Sequence, residues 1–142
     1  MTDLFAMKAD AFINPVNTQG VMGKGLALSV KEKDHESYEM YKRVCKTQGL
    51  NGGDIVLTKS NIKGYNEIFH LATKEHWRDP SRLYWIYIGL RSIRNYMEDH
   101  EMKSIVIPPI GCGLGGLSKD NVSKAIDEVF DGSDIDVIKV NF

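Results

Sequence analysis

Cysteine is scarce in this 142-residue chain: Cys45 and Cys112 stand alone, neither close to the other nor spaced with the four histidines in a ligand pattern. That excludes a disulfide framework and a zinc cage. No stretch approaches the roughly 20 apolar residues needed to cross a bilayer. The start, MTDLFAMKADAF, lacks a basic region followed by an apolar run and a small-residue cleavage site. Neither sign of charge dominates, with 18 Lys and Arg against 19 Asp and Glu for a net −1. A general polyanion binder is thereby excluded, but a local basic patch is not, and KEHWRDPSR (74–82) is one. Repeats, low-complexity tracts and linkers are missing too. The expectation is a cytoplasmic monomer without membrane partner, metal or cofactor, folded as a single domain over 1–142.

What is present is an alternation. With 42% hydrophobic residues, a chain of this length can bury one sizeable core. Short β-branched runs, AFINPV (11–16), DIVLT (54–58), NEIFHLA (66–72), SIVIP (104–108) and DVIKVN (136–141), alternate with longer segments of helical spacing. Alternation of this kind signals an α/β fold whose strands are covered on both faces. Apolar residues at Leu83, Ile86, Tyr87, Leu90, Ile93 and Met97 predict a helix between Pro80 and His100, with Asp79 as its cap and Pro80 as its first residue. The same spacing at Val122, Ala125, Ile126, Val129 and Phe130 predicts a last helix capped by Ser118, and two more helices are expected from Gly23 to about Lys33 and from Glu36 to Lys46.

Glycine is concentrated in two loops, each after a strand and before a helix. Residues 111–116, Gly-Cys-Gly-Leu-Gly-Gly, match the dinucleotide pattern G-x-G-x-x-G. Only about 25 residues follow, however, too few for the sheet that a nicotinamide-binding fold builds behind this motif. The other loop runs from Asn14 to Gly25 and includes Asn17, Gly20, Gly23 and Gly25. Either loop alone could be merely a tight turn. Facing one crevice, the two would offer main-chain N–H groups and helix N-termini to a diphosphate from both sides.

At these loops the sequence resembles a known family. INPVN, GVMGKGLALSVK (20–31), HLATKEHWR (70–78) and IPPIGCGLGGLS (107–118) are similar to the macrodomains, modules that bind ADP-ribose, and within them to the branch of DNA ADP-ribosyl glycohydrolase antitoxins and terminal ADP-ribose glycohydrolases. The resemblance implies a three-layer α/β/α sandwich with a mixed, mostly parallel central sheet. The strand that usually opens the fold is expected to be short or missing here. The resemblance further implies that Asp3 accepts the adenine amino hydrogens, although so near the terminus it is expected to be poorly held. Asn17 would contact the distal ribose, Met22, Gly23, Lys24 and Gly25 would line the diphosphate and that ribose, and Ile110, Gly111, Cys112, Gly113, Leu114, Gly115 and Gly116 would close over the phosphates.

Lys74 matches the lysine that this branch places beside the anomeric carbon. It could attack that carbon as a nucleophile if desolvated, or orient the ribose and stabilise charge as a cation. With Asn17 it makes up the expected catalytic pair. Terminal ADP-ribose glycohydrolases partner the lysine with an aspartate in the second loop, where this chain has Gly115, which puts a two-residue mechanism in doubt. His76, Trp77, Arg78 and Arg82 combine π-faces with cations, as a single strand of DNA would require, although a tryptophan there also serves as packing. Cys112 and His70 read as packing residues. The implied activity is hydrolytic removal of ADP-ribose from a macromolecule, foremost ADP-ribosylated thymidine in DNA. A non-cleaving ADP-ribose reader and an ADP-ribose 1″-phosphate phosphatase stand as alternatives. Relatives of the antitoxin type carry a further domain, and the resemblance leaves open whether this chain stands alone.

Overall fold

The computed structural model describes residues 2–142. A short 3-10 turn (Leu4–Ala6) leads into β1 (Ala9–Val16), α1 (Gly25–Lys33), α2 (His35–Thr47), β2 (Ile55–Lys59), β3 (Tyr65–Ala72), α3 (Leu83–Asp99), β4 (Ser104–Ile107), α4 (Lys119–Phe130) and β5 (Asp136–Lys139). The strands form one sheet in the order β2-β3-β1-β4-β5. All neighbours run parallel except β2, which is antiparallel to β3.

Side chains alternate across the central strands, and both faces are covered. Ala11, Ile13, Phe69, Leu71, Ile105 and Ile107 point to one side, where they meet α3 and α4 through Ile86, Leu90, Ile93, Val122 and Ile126. Phe12, Ile68 and Val106 point to the other, against Val30 of α1. Val16 and Val56 continue that layer toward Tyr38 and Tyr41 of α2. This two-sided burial is why the strands read as continuous apolar runs, and it gives the three-layer sandwich with a mixed sheet.

Side chains cap the starts of α2 and α4, and three helix starts depart from expectation. The first is α1, which begins at Gly25 rather than Gly23, behind an extended Lys24. Ser118 caps α4 as expected, its hydroxyl accepting the Asn121 N–H at 3.3 Å. Helix α2 begins one residue earlier than expected, because the buried Asp34 carboxylate accepts the Ser37 N–H at 3.1 Å and the Asn61 N–H at 2.8 Å. Helix α3 begins at Leu83, not at Pro80. Asp79 caps nothing there; its carboxylate accepts the His76 N–H at 3.2 Å and closes a turn. The chain stays extended through Arg82 because the N–H groups of Ser81 and Arg82 go to the carbonyls of Gly115 (2.9 Å) and Thr73 (3.0 Å). These tertiary bonds outweigh the local helix-start signal.

Among the described residues only the 3-10 turn precedes β1. The start of the chain is nevertheless fastened, since Thr2 and Asn141 exchange two hydrogen bonds of 2.9 and 2.8 Å. The carboxyl ends of β1, β3 and β4 lie along one edge of the sheet, where crevices for ligands open in folds of this type.

Candidate functional site

A cleft of about 910 Å³ lies on that edge. Both glycine loops line it, the first through Asn17, Gly23, Lys24 and Gly25, the second through Gly111 to Gly115, and between them lie Thr73, Lys74 and Ser81 from the β3–α3 connection. Its charge is one-sided. Lys24, Lys74, Arg78 and Lys119 reach the cleft, and among the described residues no aspartate or glutamate lines it. In a chain of net charge −1 that concentration marks a place for an anion.

The first loop is held from below. The Asn17 Oδ1 accepts the Gln19 N–H at 2.9 Å and the Val21 N–H at 3.4 Å, while its Nδ2 donates to the Val21 carbonyl at 2.9 Å. The buried Tyr41 hydroxyl sits 2.7 Å from the Asn17 carbonyl and 2.9 Å from Oδ1. Asn17 thus braces the loop from within while still lining the cleft, and one of its two Nδ2 hydrogens has no partner among the described residues. Burial, helped by Cys45, holds the Tyr41 hydroxyl far above the usual phenol range, so it remains a donor. Deeper still, Asn14, His70 and Thr58 form a polar column, with His70 Nδ1 3.1 Å from Asn14 Nδ2 and its Nε2 2.9 Å from Thr58 Oγ1. Complete burial presses the His70 pKa down to about 3, only partly opposed by Asp34. His70 is a core residue, as expected.

Lys74 sits half-buried in a segment pinned on both sides. Before it, the Thr73 N–H donates to the Val16 carbonyl at 3.0 Å and its hydroxyl meets that of Ser81 at 2.9 Å. After it, the Glu75 carbonyl accepts from the Thr18 N–H at 2.9 Å and the Thr18 hydroxyl at 3.0 Å. The lysine side chain itself has no hydrogen-bond or ion-pair partner among the described residues. A fixed main chain with an uncommitted amine in an anion-favouring cleft can serve a ligand group.

The glycines of the second loop divide by purpose. A Cβ at Gly115 would lie 2.2 Å from Ser81 Oγ and 2.5 Å from the Gly111 carbonyl, and one at Gly111 would press on Ile86 and Leu117. At Gly113 nothing lies within 4 Å, so the bare main chain there faces open space at the cleft. Close approach of the protein to itself therefore accounts for Gly111 and Gly115, and access from the cleft for Gly113. Burial raises the Cys112 thiol above its ordinary range despite Lys119, and its Sγ donates to the Ile110 carbonyl at 3.6 Å, so it packs in the protonated form.

Several residues expected at the site lie elsewhere. Met22 and Ile110 are almost wholly buried in the core clusters beneath the loops rather than in the walls. Gly116 is not among the lining residues, and neither is Asp3, whose carboxylate accepts the Phe5 N–H at 3.0 Å and caps the first turn. Trp77, 46% exposed, and Arg78 do line the mouth. His76 backs them: its ring stacks on Trp77 with centroids 3.8 Å apart, and its Nδ1 accepts the Arg78 N–H at 3.1 Å. Arg82 leaves the cleft and lies over the Trp85 ring. Lys119, Asn141, Thr73 and Ser81 line the cleft but were not anticipated. Lys119 immediately follows the Ser118 cap, a signal for a cation beside the second loop. Asn141, at φ 63°, carries its carbonyl to within 2.8 Å of Lys119 Nζ, a contact no local pattern encodes.

A parallel-centred sheet between helix layers, with two glycine loops meeting over an anion-favouring cleft at its carboxyl edge, defines a class of α/β/α module. The chain belongs to the Macro domain family, whose profile matches residues 13–126. A DNA ADP-ribosyl glycohydrolase of Thermus aquaticus is 35% identical over 130 residues, 91% of this chain and 36% of that protein. The chain spans about a third of the length of such curated relatives. The macrodomain of Mycobacterium tuberculosis DarG superposes with a TM-score of 0.92 at 32% identity, covering 98% of this chain and 93% of that one. Thermosipho africanus DarTG in complex with ADP-ribose gives 0.87 at 31% identity, over 96% of this chain and 39% of that one.

Proposed function

We propose that the chain binds ADP-ribose in the cleft and hydrolyses its N-glycosidic bond to a macromolecule, with ADP-ribosylated thymidine in DNA as the substrate. The observation that carries this reading is the placement of Lys74, pinned on both sides and, among the described residues, unpaired, between two loops whose described lining is cationic and free of carboxylates. The names of the relatives support it, as does the Thermosipho complex with ADP-ribose.

In this reading the diphosphate lies against the main chain of Gly23–Gly25 and Gly113, with Lys24 and Lys119 balancing its charge. Asn17 shapes the first loop and so contributes through geometry. Lys74 stands beside the anomeric carbon, orients the distal ribose and stabilises charge as the bond to the base breaks. Water attacks that carbon, the base leaves with the bonding electron pair and takes a proton, and ADP-ribose remains. Among the described residues no carboxylate lines the cleft, so in this reading the water gives up its proton to the substrate or to solvent. At the mouth, Trp77 offers a π-face to a neighbouring base and Arg78 a charge to a phosphate.

A second reading, a reader that binds without cleaving, is favoured by Gly115, since this position of the loop has no acid and a Cβ would collide with Ser81. One assay separates the readings. Wild type and Lys74→Ala are incubated with ADP-ribosylated DNA, ADP-ribosylated protein and ADP-ribose 1″-phosphate. Release of ADP-ribose from DNA by wild type, nearly abolished in Lys74→Ala with ADP-ribose affinity retained, is the expected result. Binding without release identifies a reader, and loss of the 1″-phosphate alone identifies a phosphatase.

A further inference from the structure

Thr73 and Ser81 are buried, at 2% and 5% exposure, yet both residues line the cleft beside Lys74. Ser81 makes three separate contacts there. Its hydroxyl meets Thr73 Oγ1 at 2.9 Å, its N–H donates to the Gly115 carbonyl at 2.9 Å, and its side chain occupies the space that a Cβ of residue 115 would need. The next residue, Arg82, returns its N–H to the Thr73 carbonyl at 3.0 Å. Thr73 directly precedes Lys74, and Gly115 belongs to the loop on the opposite wall. Ser81 is therefore the joint between the lysine segment and the second glycine loop.

We propose that Ser81 is a positioning residue: through Thr73 it sets where the Lys74 segment stands relative to the second loop, and together with the Gly111 carbonyl it takes the space that a side chain at residue 115 would need. The inference rests on the glycohydrolase reading and adds a division of labour to it. Misplacing a catalytic group by a fraction of an ångström costs turnover far more than it costs binding. A carboxylate at 115 and Ser81 in its present seat exclude each other, so this chain relies on a positioned lysine without an acidic partner in the loop.

Ser81→Ala is the informative variant, because it deletes the hydroxyl and keeps the main-chain bond to Gly115. It should lower the rate of ADP-ribose release by about tenfold or more while affinity for free ADP-ribose changes by less than about threefold. Thr73→Val should reproduce that split, and Thr73→Ser, which keeps the hydroxyl, should retain the wild-type rate. Turnover unchanged in Ser81→Ala, or affinity falling as far as turnover, would overturn the proposal. A second readout needs no turnover. In reductively ¹³C-methylated protein, the Lys74 signal and its response to ADP-ribose should change in Ser81→Ala, and an unaltered Lys74 signal would overturn the proposal even if wild type releases nothing. Wild type inactive on every substrate, with the Lys74 signal altered in Ser81→Ala, would reject hydrolysis while leaving the positioning assignment standing.

Discussion

Tyr41, from the middle of α2, reaches under the first glycine loop and places its hydroxyl within hydrogen-bond distance of both the main-chain carbonyl and the side-chain oxygen of Asn17. The loop that lines the cleft is thus shaped by a residue 24 positions later in the chain. Tyr41→Phe should cost about 1–2 kcal/mol, since a buried donor is lost. Denaturant unfolding measures this loss, and calorimetry with ADP-ribose should show weaker binding in the same variant.

The His70 column makes stability sensitive to acid. The folded-state pKa, about 3, lies below the ordinary value of 6.5, so the unfolded chain takes up the proton first. His70 therefore withholds no stability above pH 6.5, and stability falls as the pH drops from 6.5 toward 3, by up to about 1.4 kcal/mol per pH unit. Below about 3 this group adds no further slope. Unfolding measured across that range should show a flatter dependence in His70→Gln, which cannot titrate. Equal slopes in the two proteins would assign the acid sensitivity to other groups.

Two glycines of one loop should respond in opposite ways. Gly115→Ala places a Cβ 2.2 Å from Ser81 Oγ and 2.5 Å from the Gly111 carbonyl, and it should destabilise the protein by about 1–3 kcal/mol. Gly113→Ala meets nothing within 4 Å. Its melting temperature should stay near that of wild type while ADP-ribose affinity falls, because the added methyl group occupies the approach to the main chain. Thermal melts paired with ADP-ribose titrations distinguish these outcomes.

Arg78 and Trp77 sit at the mouth, outside the pinned lysine segment. Reversing the charge with Arg78→Glu should slow release of ADP-ribose from a DNA oligonucleotide more than it weakens binding of free ADP-ribose, and the difference should shrink as salt is raised. Equal losses for both ligands would argue against a nucleic-acid strand crossing this mouth.

Much of this architecture was legible in the sequence. The strands showed as apolar runs because both sheet faces are buried, and each glycine loop could be placed between a strand and a helix, while their meeting at one cleft follows from parallel strands that end on the same edge. Ser118 announced its helix through ordinary capping chemistry. Asp79-Pro80 carried an equally good local signal, yet α3 starts at Leu83, because bonds to Thr73 and Gly115 hold the chain extended, and nothing local encodes them. Met22 and Ile110 read as walls since they stand within the loop motifs, but apolar side chains at loop bases turn inward to seal the core. Lys119 stands directly behind the Ser118 cap and the second loop, whereas Asn141 joins the cleft only through the return of the chain after β5.

The one-sided charge of the cleft also bears on the end of the catalytic cycle. Cleavage of the glycosidic bond leaves both phosphates of ADP-ribose intact, so cations that attract the substrate attract the product as strongly, and such uniform binding does nothing to speed its departure. If the chain is the glycohydrolase proposed above, escape of the nucleotide sugar should be the slow event, with the first turnover faster than those that follow.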